Sequence, residues 1–128
     1  MKGKKTSTAV QSQFDNLNDL IIDAIQDIKG KNIVKIDLTK LDDSSTDYFI
    51  ICEGESITQV NAIADNVKLR VKDELGITHF HTEGMQESKW ILIDYFDTVV
   101  HVFYPATRAY YDIEDLWSDG EHVEYQNL

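Results

Sequence analysis

Leu17, Ile21, Ala24 and Ile28 recur at intervals of four, three and four residues, a spacing that lines one face of an α-helix. Asp15, Asp19, Asp23 and Asp27 fall on the other faces, and Gly30 supplies a stop. The period then changes to two. Val34, Ile36 and Leu38 alternate with Ile33, Lys35 and Asp37, which predicts a strand with one buried face. After a polar turn over 42–46, the run Tyr48 to Cys52 is apolar on both faces, as suits a central strand covered on both sides.

Ser56 and Gln59 fit a capping box that opens the longest helix. Its stripe is Ile57, Val60, Ala64, Val67, Val71 and Leu75, and Gly76 stands where a left-handed cap belongs. Thr78 to Glu83 predicts a short strand. Trp90 to Tyr95 and Val99 to Phe103 predict a β-hairpin that turns at Phe96 and Asp97. Pro105 ends the second strand, and the spacing of Tyr110, Ile113 and Trp117 predicts a last helix over Ala106 to Trp117. The interleaved order permits a parallel crossover across residues 48–83, while the hairpin must be antiparallel. The fold class is therefore α/β, a mixed sheet of about five strands flanked by helices. Residues 1–13 lack periodicity and are expected to form a disordered arm. Residues 14–117 make a single domain, and 118–128 are expected to be a frayed acidic tail.

Composition changes this picture little. At 128 residues, 42% apolar and 27% charged, the chain can bury one core. No apolar run approaches the roughly 20 residues of a membrane-spanning helix. The basic start has no apolar segment behind it, and Cys52 is the only cysteine, so the cytoplasm is the expected compartment. Charge changes the picture more. The formal net charge is −11, and residues 73–128 hold only Lys89 and Arg108 against 12 acids. Such a surface repels phosphate backbones, so free nucleic acid is an unexpected partner. It attracts a basic protein, although simple solubility would explain the charge equally well.

Candidate chemistry is sparse. His79, His81 and Glu83 alternate and could share one strand face, two imidazoles and a carboxylate for zinc; the plainer reading is a solvated strand edge. Cys52, inside an apolar strand, reads as an inert buried thiol. The Asp112 and Glu114 pair, on the expected last helix, has no phosphate-binding turn before it. A metal-dependent nucleotidyltransferase or phosphohydrolase built on these groups is the alternative function. An adaptor for another basic protein is a third.

The hairpin says more. Ile91, Ile93, Val100 and Val102 are aliphatic and belong against helices. The opposite set, Trp90, Leu92, Asp94, Val99, His101 and Phe103, mixes aromatics with an acid and a histidine. That mixture suits a protein-binding surface; the competing reading covers it with the C-terminal helix and makes His101 a core histidine.

The run from Trp90 to Phe103 (WILIDYFDTVVHVF) and that from Arg108 to Trp117 (RAYYDIEDLW) resemble the ribosomal silencing factor (RsfS, or Iojap) family. Thr46 to Gly54, then Ser56, Gln59, Val60, Ala62 to Asp65 and Val67, and Glu83 with Gly84, extend the likeness over residues 15–117. One departure is Phe96, at a hairpin turn where the family often has glycine. The resemblance implies a nucleotidyltransferase-like fold without the catalytic residues, and no cofactor. It also implies binding to a basic protein on the joining face of the large ribosomal subunit. Members block subunit association there, damp translation when nutrients are scarce, and form homodimers. On this reading Trp90 is the aromatic anchor and Asp94 and His101 are polar contacts. Glu83 and Gly84 form a framing loop, Phe103 belongs to the same surface, and Tyr110, Tyr111, Leu116 and Trp117 serve the core or a dimer.

Overall fold

The computed structural model describes residues 16–128; the expected arm at 1–13 lies outside the described residues. Helix α1 spans Leu17–Asp27, and Asn16 caps it by accepting the N–H of Asp19 at 2.8 Å. Strands β1 (Lys31–Asp37) and β2 (Tyr48–Glu53) follow, then helix α2 (Ile57–Leu75). Ser56 Oγ accepts the Gln59 N–H at 3.1 Å, and Gly76 closes α2 at φ +68°, so both expected caps are present. Next come β3 (His81–Glu83), β4 (Trp90–Asp94), β5 (Thr98–Phe103), α3 (Pro105–Tyr111), α4 (Ile113–Leu116) and β6 (Glu121–Tyr125).

The strands form one sheet in the order β3-β4-β5-β2-β1-β6. Among the described residues only β2 and β5 pair in parallel, and the other pairings are antiparallel. Helices α1 and α2 cover one face, where Ile50, Cys52, Ile91, Ile93, Val100 and Val102 meet Leu20, Ile21, Ile63 and Val67. Arg70 fastens the two helices, since its guanidinium reaches Asp23 at 2.6 Å and Asp27 at 2.8 Å across them. On the other face Val34, Ile36, Leu38, Ile51 and Phe103 form a smaller core, closed by Leu41, Ile113 and Trp117.

Four expectations change. The strand expected over Thr78 to Glu83 shortens to His81–Glu83, and the sheet has six strands rather than about five. The expected frayed tail contains β6, whose residues are mostly exposed and which holds to β1 through backbone pairing from Ile33–Tyr125 to Asp37–Glu121. It buries too little to leave an apolar pattern. Gly120 lets it approach, for a β-carbon there would stand 2.6 Å from Ile36 Cγ2.

The expected single helix over Ala106 to Trp117 breaks at Asp112, where φ is +44°. Arg108 shows why. Its Nε and Nη2 fork onto Glu114 at 3.0 and 2.8 Å, while Nη1 reaches Glu53 Oε1 at 3.1 Å and the Asn32 carbonyl at 2.8 Å. In an unbroken helix, residues six apart point about 120° away from each other. The break returns Glu114 to Arg108, and the fork holds its carboxyl below the usual carboxylate range.

Removing one partner from such a largely enclosed cluster leaves charges unpaired. Arg108→Ala should lower the unfolding free energy by on the order of 3 kcal/mol in urea, and Arg108→Lys should recover less than half of it. An unchanged denaturation midpoint would show that the clamp contributes nothing to stability.

Candidate functional site

Cross-strand register places the singled-out residues on one sheet face. Trp90 lies opposite Phe103, Leu92 opposite both Glu83 and His101, and Asp94 opposite both His81 and Val99. This is the face turned away from α1 and α2. The α3–α4 segment covers its β1–β2 side through Ile113 and Trp117. Its β3–β4 side carries Trp90, Leu92 and Asp94, all partly exposed.

Trp90 is held in a stack of rings. Its centroid is 4.9 Å from Phe103 beneath it and 4.9 Å from Tyr111 on α3. The indole Nε1–H donates to His101 Nδ1 at 3.1 Å, which fixes the ring's rotation as well as its position. Since Nδ1 accepts, the proton of a neutral His101 resides on Nε2. His101 is 4% exposed, and burial pushes its pKa down to about 3. The edge contact with Phe49, 4.6 Å between centroids, completes its apolar surroundings.

The backbone around Trp90 depends on Gly84. At φ +86°, a β-carbon on this residue would stand 2.0 Å from the Trp90 carbonyl oxygen, so only glycine lets β3 lead into this turn. The turn is tied to α2, because Asn61 Nδ2 donates to Ser88 Oγ at 2.9 Å and to the Met85 carbonyl at 3.2 Å. Glu83 is exposed and meets His81 Nε2 at 2.7 Å. Asp94 Oδ1 accepts the N–H of Phe96 at 2.7 Å and so also shapes the hairpin turn.

One assignment needs correction. His101 and Phe103 were expected to face a partner, but Phe103 has no exposed surface and His101 almost none. They support Trp90 from behind instead. Of the four residues expected in the core or a dimer, Trp117 packs in the second core, while Tyr110, Tyr111 and Leu116 are 81%, 54% and 75% exposed, which excludes the core for them and is compatible with a dimer surface. Tyr111 joins the Trp90 stack, and the signal was there in the paired tyrosines, but without the break at Asp112 their direction could not be read.

The groups considered for catalysis do not gather. His79 precedes β3 and sets its ring against Tyr95, while His81 pairs with Glu83. Among the described residues no three His, Cys, Asp or Glu side chains are grouped to hold a metal. Burial raises the Cys52 thiol to about 12, and Glu114 is taken by Arg108. No described helix is long and apolar enough to cross a membrane.

Residues 11–128 match the family model for "Ribosomal silencing factor during starvation". The chain is 42% identical over 105 residues to a Chromobacterium violaceum protein named ribosomal silencing factor RsfS, covering 82% of this chain and 84% of that one. A Halalkalibacterium halodurans protein of the same name is 39% identical over 112 residues, covering 88% and 94%. A crystal structure of a Chromobacterium violaceum protein superposes with a TM-score of 0.76 at 42% identity, covering 80% of this chain and 83% of that one.

Because the folded pKa of His101 lies below its unfolded value near 6.5, the unfolded chain binds the extra proton between the two. Its contribution to stability is thus complete above about pH 6.5 and is lost as pH falls toward 3. Between pH 7 and 5, where few carboxylates titrate, His101→Gln should flatten the slope of stability against pH by up to about 1.4 kcal/mol per unit. Urea midpoints measured across that range check it; parallel curves for the two proteins would show that His101 titrates normally.

Proposed function

This chain belongs to the ribosomal silencing factor (RsfS) family, and on that premise we propose that it represses translation by docking on the large ribosomal subunit through the Trp90 face. The contact is a basic protein on the subunit's joining surface, and the bound factor stands where the small subunit would approach. The observation that carries this reading is the partly exposed Trp90, fixed by His101, Phe103 and Tyr111 in the acidic half of the chain. A preoriented aromatic loses little freedom on binding, and acids around it steer a basic surface into place. Arg108 is engaged internally, which leaves Lys89 as the other Lys or Arg of residues 73–128. The role needs no catalysis. Off the ribosome, exposed Tyr110, Tyr111 and Leu116 give a second copy an apolar surface to share, so dimer and docked forms compete.

In a sucrose gradient with purified subunits at moderate salt, the protein should co-migrate with the large subunit and reduce joined ribosomes. Trp90→Ala should weaken that binding about thirtyfold with the circular dichroism spectrum retained, and Glu83→Lys should weaken it further at low salt than at high. A wild-type protein that stays at the top of the gradient overturns the docking reading; undiminished binding by Trp90→Ala overturns the choice of face.

A further inference from the structure

Two aromatic rings meet outside the core at the tip of the β4–β5 hairpin. Phe80 and Phe96 are 67% and 68% exposed, and their rings stack with centroids 4.8 Å apart and planes at 21°. Phe96 holds φ +75°, the left-handed region that suits glycine. A phenylalanine there carries a steric cost, and at this exposure burial does little to offset it. The backbone beneath the pair is fixed. Phe96 N–H donates to Asp94 Oδ1, its carbonyl accepts Thr46 Oγ1–H at 2.7 Å, and Phe80 N–H donates to the Asp94 carbonyl at 2.7 Å.

One carboxylate is tied to the pair, that of Asp94 through the Phe96 N–H. Asp94 and Asp97 belong to the turn itself, and the Asp97 carbonyl accepts the N–H groups of Asp47 and Tyr48 at 2.9 and 3.0 Å. Asp47 and Asp97 line, with Asp19 and Lys35, a neighbouring groove of about 540 Å³ that the two phenylalanines do not enter. Lys35, the lysine of this groove, is drawn over the Tyr48 ring at 5.6 Å. We propose that this tip binds an arginine side chain of a partner protein, stacked on the Phe80–Phe96 pair with its guanidinium directed to the Asp94 carboxylate. Guanidinium is a planar cation that stacks on aromatic faces and forks onto carboxylates; an ammonium has neither plane nor fork. The same carboxylate and the acidic residues of the groove turn away RNA, whose bases would otherwise stack here.

The test is an NMR titration of the isotopically labelled full-length protein at low salt, with a short arginine-bearing peptide and its lysine counterpart. The arginine peptide should shift the Phe80, Phe96 and Asp97 amides and bind several-fold more tightly than the lysine peptide. Phe96→Gly suits the positive φ, so it should keep or raise the melting temperature while weakening the arginine peptide about fivefold. Equal binding of the two peptides, or unchanged binding by Phe96→Gly, overturns the proposal. So do concentration-dependent shifts of these amides without peptide, which would assign the tip to a second copy. No ribosome enters this titration, so its failure and that of the Trp90 docking face are separately visible.

Discussion

The largely enclosed guanidinium of Arg108 holds the second face of the sheet together. Glu53 comes from β2, the Asn32 carbonyl from β1 and Glu114 from α4, and one planar cation satisfies all three. A cation so enclosed is tolerable only with its donors occupied, so the cluster forms completely or fails as a unit. The break at Asp112 follows from it, and so does the seating of Ile113 and Trp117 over β1 and β2. Tyr111 then falls beside Trp90. The partly exposed aromatic surface is in this sense a product of one ion cluster behind it.

The elements with a strong period were legible from sequence. Helices α1 and α2, with the Ser56 and Gly76 caps, and strands β1, β2, β4 and β5 all stand near their expected places, because each buries a regular stripe. Strand β6 was not legible, since it rests on backbone pairing and buries little besides Tyr125. The helix break was hidden for a different reason. Nothing local in the Asp112 region opposes a helix; a long-range pairing between Arg108, Glu53 and Glu114 overrides the propensity.

The candidate surface was half legible. Alternation within the hairpin correctly separated the aliphatic set from the set containing Trp90, and the register agrees. Alternation cannot say how deeply a side chain is covered. His101 and Phe103 share the face with Trp90, but the α3–α4 segment and the indole itself enclose them. Exposure depended on a segment whose direction changed at one residue.

The parallel pairing of β2 with β5 also orders events in time. These two strands form the middle of the sheet, yet 44 residues separate the end of β2 at Glu53 from the start of β5 at Thr98. A chain leaving the ribosome N-terminus first presents β1, β2, α1 and α2 with one edge of β2 open. No local contact can close that edge until Phe103 has emerged, and the Arg108 cluster waits still longer for Glu114. The topology therefore leaves the middle of the sheet incomplete until late in synthesis, whatever forms before it.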